Sequence, residues 1–590
     1  MYTDSKIYQI IIALLKKYGI KHCVLSAGSR NVPFVHSVEE DPYFKCYSVV
    51  DERSAGYFAL GIAQQLQEPV VISCTSSTAT CNYWPAVAEA YYQNVPLVVL
   101  TSDRNPHMLG QWEDQMIDQV GMYDRHVKKS VNLPEQADTK DDFIYCQRLV
   151  NEALSELNHH GTGPVHINIP MKGYNMAFYT HKLPEVQKVD RVYINDSFCW
   201  ESKIERLRNA KSVLVICGQR NYISEKLNSG LQQFFEQYNC AISAEYMANV
   251  QGDNIINTSV AMETRLITQD KFKEFIPEIV ISYGGNIMQG VKSMLRENAG
   301  SFEHWQIEPD GRIVDTYKSI STVFECTAEE FFERCCQAAG QKTVNDKIYY
   351  DKIRKYCDSI EYPEFPYSSV YAIKNVVERI PAGSVLHLSI NNAIRVTNFF
   401  KLNKNIRTYA NIGTYGIDGC LSSFLGQSIC TNSNCYLIIG DLSFLYDMNA
   451  LRIKHIGNNV RILLINNQGG AEFYYNGSVI NESSDLHTTA RHHDTAGAWA
   501  KSVGFKYLTA NDLETYDAAL SQFMTDDSDA PILFEVFTEM GNDSSIIHRF
   551  YSQNKEDTWK ETIVQGIKSG IKKTFGGDNA KKLKSILKNN

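Results

Sequence analysis

The chain is 590 residues long, so at roughly 100–200 residues per domain it divides into about three to five. With 44% hydrophobic and 21% charged residues it has ordinary globular usage, which excludes wholesale disorder and fibrous architectures. A net charge of −9 argues against a dedicated nucleic-acid binder, which presents a basic face.

In chain order, short β-branched runs alternate with helical periods, the pattern of parallel strands joined by crossover helices. Strands are predicted at 22–25, 47–50, 70–74, 97–100 and 165–169, with helices at 54–67 and 82–93 among them. They make residues 1–182 one doubly wound parallel-sheet domain. A polar, proline-containing connection at 183–190 leads to a middle α/β domain over 190–345, with strands at 212–217, 240–243 and 279–283. Beyond Tyr362-Pro363-Glu364-Phe365-Pro366 a third domain, 355–550, has strands at 384–388, 435–439 and 461–465. The expected fold class is α/β: three doubly wound parallel-sheet domains in series. No solenoid-length repeat or low-complexity tract interrupts it.

Residues 555–590 differ, with nine lysines against four acids, a net of +5 that leaves about −14 on the body. Trp559, Ile563, Ile567, Ile571 and Phe575 recur every four residues and draw an apolar stripe along a helix. Such a tail reads as a surface helix docked on the body. A sharper reading is a basic amphipathic segment that touches an anionic membrane surface or a partner. Apolar runs elsewhere are strand-length, so no transmembrane segment is expected. The first residues carry acid where a signal peptide has base, and the fifteen cysteines are odd in number with no C-x-x-C. Both point to a cytoplasmic protein with buried thiols.

The segment richest in chemistry is Gly440-Asp441-Leu442-Ser443, directly after the predicted strand 435–439. About 25 residues on, a second strand ends at Asn466-Asn467-Gln468-Gly469. A carboxylate on one strand end, with an Asn amide and a backbone carbonyl on the other, offers the hard oxygen ligands of Mg²⁺ or Ca²⁺. Glycine there lets backbone approach phosphate closely. A lone Gly-Asp is more often a plain turn; the second strand end makes the difference.

This spacing resembles the diphosphate–metal motif of thiamine diphosphate enzymes, in which GD(G) and NN end adjacent strands. The resemblance implies thiamine diphosphate as cofactor. It places Mg²⁺ (or Mn²⁺ or Ca²⁺) on Asp441, the Asn467 side chain and the Gly469 carbonyl, with Leu442 and Ser443 also in the cofactor site. Leu442 stands where the family has its third glycine. The family also sets a glutamate on the cofactor's pyrimidine ring, where it drives the tautomer that activates the thiazolium carbon. Glu52, in Asp51-Glu52-Arg53-Ser54, is the residue at that place. Acids at a helix start also answer the helix dipole, which suits Asp51 as N-cap, and Ser54 could serve as well. In this family the first domain of one subunit meets the third of another, so a homodimer or homotetramer is implied.

Several strings go further and resemble one branch, the SEPHCHC synthases of menaquinone biosynthesis. They are Gly28-Ser29-Arg30, DERSAGYFALGI at 51–62, CTSSTATCNYWPAVAE at 74–89, VLTSDR at 99–104, DQMIDQV at 114–120, GPVHINIP at 163–170, Gly416-Ile417-Asp418-Gly419 and GDLS at 440–443. The likeness covers roughly residues 1–550 and is thinnest in the middle domain. It implies decarboxylation of 2-oxoglutarate and carboligation to isochorismate. Ile417 becomes the apolar wedge that bends the cofactor, and Gln119 a polar catalytic-site residue. Both substrates are multiply anionic, which calls for arginine. Arg30, Arg104 and Arg395 fall at the family's substrate-binding positions, with Ser29 and Asn391 beside them.

The match also departs from the family. Ile412 stands where a substrate-facing arginine is expected, and Asn391 where a serine is. The middle-domain lysine is either Gly290 or, with a small gap, Lys292. A hydrogen bond to a charged group contributes roughly 1.5–3 kcal/mol, so a carboxylate site without its arginine weakens unless another cation moves in. Arg407, Arg491 and His492 are candidates. These departures keep open a related decarboxylase or carboligase with a different 2-oxo acid or acceptor, for example in a surface-sugar pathway. A catalytically silent, cofactor-binding regulatory protein is a third reading. The middle domain shows no FAD fingerprint.

Overall fold

The computed structural model of the chain describes residues 1–173, 176–264, 274–339, 344–479 and 481–554. The amphipathic tail read at 555–590 lies outside the described residues. Three sheets of six, seven and six strands carry the fold, and every recorded strand pairing in them is parallel. Two compact units contain them. Unit 1 comprises Met1–Asp196 and Glu303–Cys326; unit 2 comprises the described residues of Ser197–Phe302 and Thr327–Asn590.

Unit 1 holds a sheet of β1 (His22–Leu25), β2 (Lys45–Ser48), β3 (Val70–Cys74), β4 (Leu97–Asp103), β5 (Lys129–Asn132) and β6 (Val165–Pro170), in the order β2-β1-β3-β4-β6-β5. It also contains β7 (Asp190–Tyr193), β12 (Glu303–Ile307) and β13 (Ile320–Glu325), with β13 paired to both others. Unit 2 holds β8 (Val213–Cys217), β9 (Cys240–Ala244), β10 (Ile255–Ile256) and β11 (Ile279–Tyr283) in the order β10-β9-β8-β11. Its other sheet has β14 (Val385–Leu388), β15 (Arg407–Ala410), β16 (Cys435–Gly440), β17 (Val460–Asn466), β18 (Lys506–Ala510) and β19 (Ile532–Phe537). Its order, β15-β14-β16-β17-β19-β18, repeats that of the first sheet strand for strand.

Strands such as β3, β4, β6 and β17 are buried along their whole length, as sheets covered by helices on both faces require. Each fully buried Val, Leu or Ile contributes about 1.5–3 kcal/mol of transfer free energy. In both six-stranded sheets the order reverses beside the first strand, so the loops after β1 and β3, and after β14 and β16, part at a switch point.

Several strand bounds differ from the sequence reading. The fourth strand runs on through Thr101-Ser102-Asp103 because its neighbours satisfy those side chains: Thr101 bonds His166 and Asn168, and Asn168 bonds Asp103. The second strand starts two residues early, at Lys45, set by register against His22. No disulfide joins any of the fifteen cysteines, and burial pushes thiols such as Cys23 and Cys74 well above their usual range. Among the described residues no helix is long and apolar enough to cross a membrane.

Candidate functional site

In unit 1, Glu52 opens the helix Glu52–Leu66 just after β2. The cap is Asp51, whose Oδ1 accepts the Ser54 N–H at 2.9 Å and is held low by that bond. Glu52 is thereby spared capping duty. Its half-buried carboxylate lies close enough to Cys74 and Tyr83 to add to the burial that pushes both upward.

Gln119 is fully buried. Its Oε1 accepts the Ser77 N–H at 2.7 Å, and its Nε2 donates to Ser102 C=O at 3.3 Å and Asn168 Oδ1 at 3.0 Å. It therefore braces the ends of β3, β4 and β6. Ser77 needs the brace, because it sits at φ +69°, a conformation rare for a residue with a side chain.

Gly28 brings the loop after β1 against the loop after β3, where an added Cβ would lie 2.4 Å from Thr75 Cβ. Ser29 next to it is exposed, whereas Arg30 is buried. Burial raises the Asp103 carboxyl, against the hydrogen bonds from Asn168 and the Arg104 N–H and the weaker pull of the Arg30 guanidinium. Arg104 is committed locally: its N–H donates to Asp103 Oδ1 at 2.7 Å, and its guanidinium meets the Glu113 carboxylate and the Asp114 carbonyl.

In unit 2, parallel pairing of β16 with β17 sets Gly440 opposite Ile465 and brings the two strand ends together. Asp441 is 3% exposed. Its Oδ1 accepts the Leu442 N–H at 2.6 Å and its Oδ2 the Gly469 N–H at 3.0 Å. Among the described residues, His492 is the basic side chain within ion-pair distance, with Nε2 3.3 Å from Oδ2; the Asp441 carboxylate raises that imidazole. Asn467 donates through Nδ2 to Asp543 at 3.3 Å, which leaves its carboxamide oxygen available to a ligand. Gly469 has φ +150°, and a Cβ there would lie 2.8 Å from Thr489 C=O. A buried carboxylate with neighbouring amide and carbonyl oxygens is a donor set that fits a hard divalent cation. Ser443 donates to the Ile417 carbonyl at 2.5 Å, tying the half-buried wedge candidate to the same strand end.

The substrate candidates of unit 2 are arranged less simply. Asn391 precedes the helix Asn392–Thr397 at φ +62°. Arg395 on that helix is paired with Glu472, the second residue of the helix Ala471–Tyr475 that follows Gly469-Gly470. Ile412 is fully buried, and its carbonyl accepts from Asn286 Nδ2 at 3.4 Å. Lys292 donates to the Oδ1 of the same Asn286. Asn286 thus links the Lys292 ammonium to the Ile412 backbone carbonyl. Arg407 lies over Tyr222, and Arg491 bonds Asp485 at 2.7 Å. Glu472, and the buried carboxylates Glu245 and Glu263 near Lys292 and Arg395, were not singled out from sequence, where nothing distinguishes them from surface acids.

The family described as "Thiamine pyrophosphate enzyme, N-terminal TPP binding domain" matches residues 5–122. The chain is 39% identical over 568 residues to 2-succinyl-5-enolpyruvyl-6-hydroxy-3-cyclohexene-1-carboxylate synthase of Bacteroides fragilis, covering 94% of this chain and 100% of that one. Identity to the synthase of the same name is 38% over 569 residues in Bacteroides thetaiotaomicron and 31% over 566 in Flavobacterium johnsoniae, again across 94% of this chain and 100% of each relative. With a parallel α/β fold and near-complete coverage, the chain belongs to the 2-succinyl-5-enolpyruvyl-6-hydroxy-3-cyclohexene-1-carboxylate synthase family of thiamine pyrophosphate enzymes.

Proposed function

We propose that the protein decarboxylates 2-oxoglutarate and joins the remaining succinyl unit to isochorismate, forming 2-succinyl-5-enolpyruvyl-6-hydroxy-3-cyclohexene-1-carboxylate. Similarity along the whole length of synthases with that name carries the reading. Bound thiamine diphosphate supplies the electron sink for decarboxylation and carbon–carbon bond formation. Asp441, Asn467 and Gly469 are the oxygen donors for Mg²⁺, Mn²⁺ or Ca²⁺, and Leu442, Ser443 and Ile417 flank the cofactor. The pyrimidine-binding domain is assigned to 1–182, the middle domain to 190–345 and the diphosphate-binding domain to 355–550.

Glu52 is the carboxylate that exchanges a proton with the pyrimidine ring. Gln119 holds Ser77 in its strained conformation and so shapes the loop after β3. Ser29, Arg30 and Arg104 on unit 1, and Asn391, Arg395 and Lys292 on unit 2, are the groups offered to substrate carboxylates. A homodimer or homotetramer is part of this reading, supported by apolar side chains left in solvent on unit 1: Trp112 is 100% exposed and Phe58 46%.

The test supplies purified protein with Mg²⁺ and thiamine diphosphate, then 2-oxoglutarate with and without isochorismate. Expected are CO₂ release and the mass of the joined product. Activity on another 2-oxo acid, with none on 2-oxoglutarate, would replace the substrate assignment. That second reading is favoured by buried Ile412 and by the Arg395–Glu472 pair.

A further inference from the structure

In unit 1, three side chains outside the proposed cofactor residues converge on one point. His159 follows the short turn Ser155–Asn158, His160 is next in the chain, and Glu325 ends β13. His159 Nε2 is 2.9 Å from Glu325 Oε2, and His160 Nε2 is 2.6 Å from Glu325 Oε1. One ligand atom from each of the three lies within 4.8 Å of the others.

The second nitrogen of His159 makes the arrangement informative. Its Nδ1 lies 2.9 Å from Glu156 Oε2, so this imidazole has a carboxylate on both nitrogens. A neutral ring carries one N–H, and either tautomer would then press a bare nitrogen lone pair against a carboxylate. Two states relieve this. In one the ring is an imidazolium. In the other Nδ1–H donates to Glu156 while Nε2 binds a metal, the carboxylate–histidine–metal arrangement of zinc sites. The adjacent His160 ring lies 4.1 Å away centre to centre.

The surroundings are built to hold this geometry. Arg191 fixes Glu156 through a 2.8 Å bond and is itself anchored on the Gly311 carbonyl at 3.0 Å and the Ser155 carbonyl at 3.1 Å. Gly311, at φ +67°, keeps the space open: a Cβ there would lie 2.4 Å from Glu325 Oε2 and 3.1 Å from His159 Nε2. A zinc–nitrogen bond of about 2.0–2.1 Å sets tetrahedral ligand atoms roughly 3.3 Å apart, so the 2.6 and 2.9 Å contacts to Glu325 must lengthen while the widest separation, within 4.8 Å, draws in.

We infer that His159, His160 and Glu325 bind a divalent transition metal of the zinc class, with water in the fourth position. The ion staples the segment after Ser155–Asn158 to β13. It serves the fold of unit 1, and no reaction step depends on it.

Full-length untagged protein is stripped with chelator, exchanged into buffer with excess Mg²⁺, and titrated with Zn²⁺ or Co²⁺. One zinc per chain should survive desalting in the wild type and in Asp441→Asn. None should remain in His160→Ala, whose wild-type side chain is 67% exposed and can be removed without disturbing a core. The melting temperature should rise with zinc in the wild type and stay unchanged in His160→Ala. Cobalt should give a visible d–d band that only the wild type and Asp441→Asn show. Equal zinc in wild type and His160→Ala, or none in the wild type, would overturn the site and leave an ion-pair network.

Discussion

Arg395 donates to both oxygens of Glu472, at 2.7 and 3.3 Å, with its guanidinium 4.4 Å from the centre of the Tyr475 ring. The pair holds the guanidinium firmly in its charged form, against a burial that opposes it. A substrate carboxylate that uses Arg395 must therefore compete with a carboxylate of the protein itself. A charged hydrogen bond contributes about 1.5–3 kcal/mol, so Glu472→Gln should lower KM for the carboxylate substrate by roughly tenfold with kcat nearly unchanged. Steady-state kinetics decide it; an unchanged or higher KM would remove Arg395 from substrate binding.

Glu52 and Asp441 should fail in different ways. Glu52→Gln is expected to abolish turnover while thiamine diphosphate affinity stays close to wild type, because the role proposed for the residue is to exchange a proton rather than to hold the diphosphate. Asp441→Asn should weaken Mg²⁺-dependent cofactor binding by at least tenfold, since it removes the charge that a hard cation requires. Isothermal titration calorimetry beside a CO₂-release assay separates the two. Near-normal decarboxylation by Glu52→Gln would end its assigned role.

Gly469→Ala tests the loop after β17. At φ +150°, with Thr489 C=O 2.8 Å and Met540 Sδ 3.0 Å from the added Cβ, alanine must shift the backbone. Such strain costs about 1–3 kcal/mol. Cofactor affinity should fall along with the melting temperature, because the displaced backbone carries the Gly469 carbonyl and its N–H bond to Asp441. Intact cofactor affinity would show that this carbonyl is not a ligand.

Stability should vary with pH in two opposed limbs. Burial pushes the Glu245 carboxyl from 4.5 up to about 8, with Glu263 adding to the rise and Lys292 opposing it. The folded state keeps that proton while the unfolded chain releases it, so stability falls as pH climbs from about 4.5 toward 8. Glu245→Gln should flatten this limb in thermal melts between pH 5 and 8.5. On the acid side, burial lowers His166 and His304 from 6.5 to about 3, so the unfolded chain binds their protons first and stability falls below about pH 6.5. His166→Gln should soften that limb, and an unchanged melt would assign the loss to other groups.

Much of the fold was legible in sequence because buried parallel strands are short apolar runs, and crossover helices have a clear period. Runs such as 70–74 and 279–283 became strands with the predicted bounds. The hydrophobic signal ends the fourth strand at 100, whereas Thr101 and Asp103 are buried through hydrogen bonds to Asn168 and extend it to 103. Asp51 was foreseen as a cap, since capping is local chemistry. Arg104 and Arg395 were foreseen as positions, but not their partners Glu113 and Glu472.

The composition, the alternation of strands and helices, and the Gly440-Asp441 and Asn466-Asn467 strand ends were determined by sequence alone, because each depends on neighbours along the chain. The tertiary structure alone decided which charges meet. Only folding sets Glu472 on Arg395, brings Lys292 through Asn286 to Ile412, and closes Glu325 on His159 and His160 across more than 160 residues of chain. Such contacts depend on sheet order and register, and a side chain's type carries no record of the partner that register will bring.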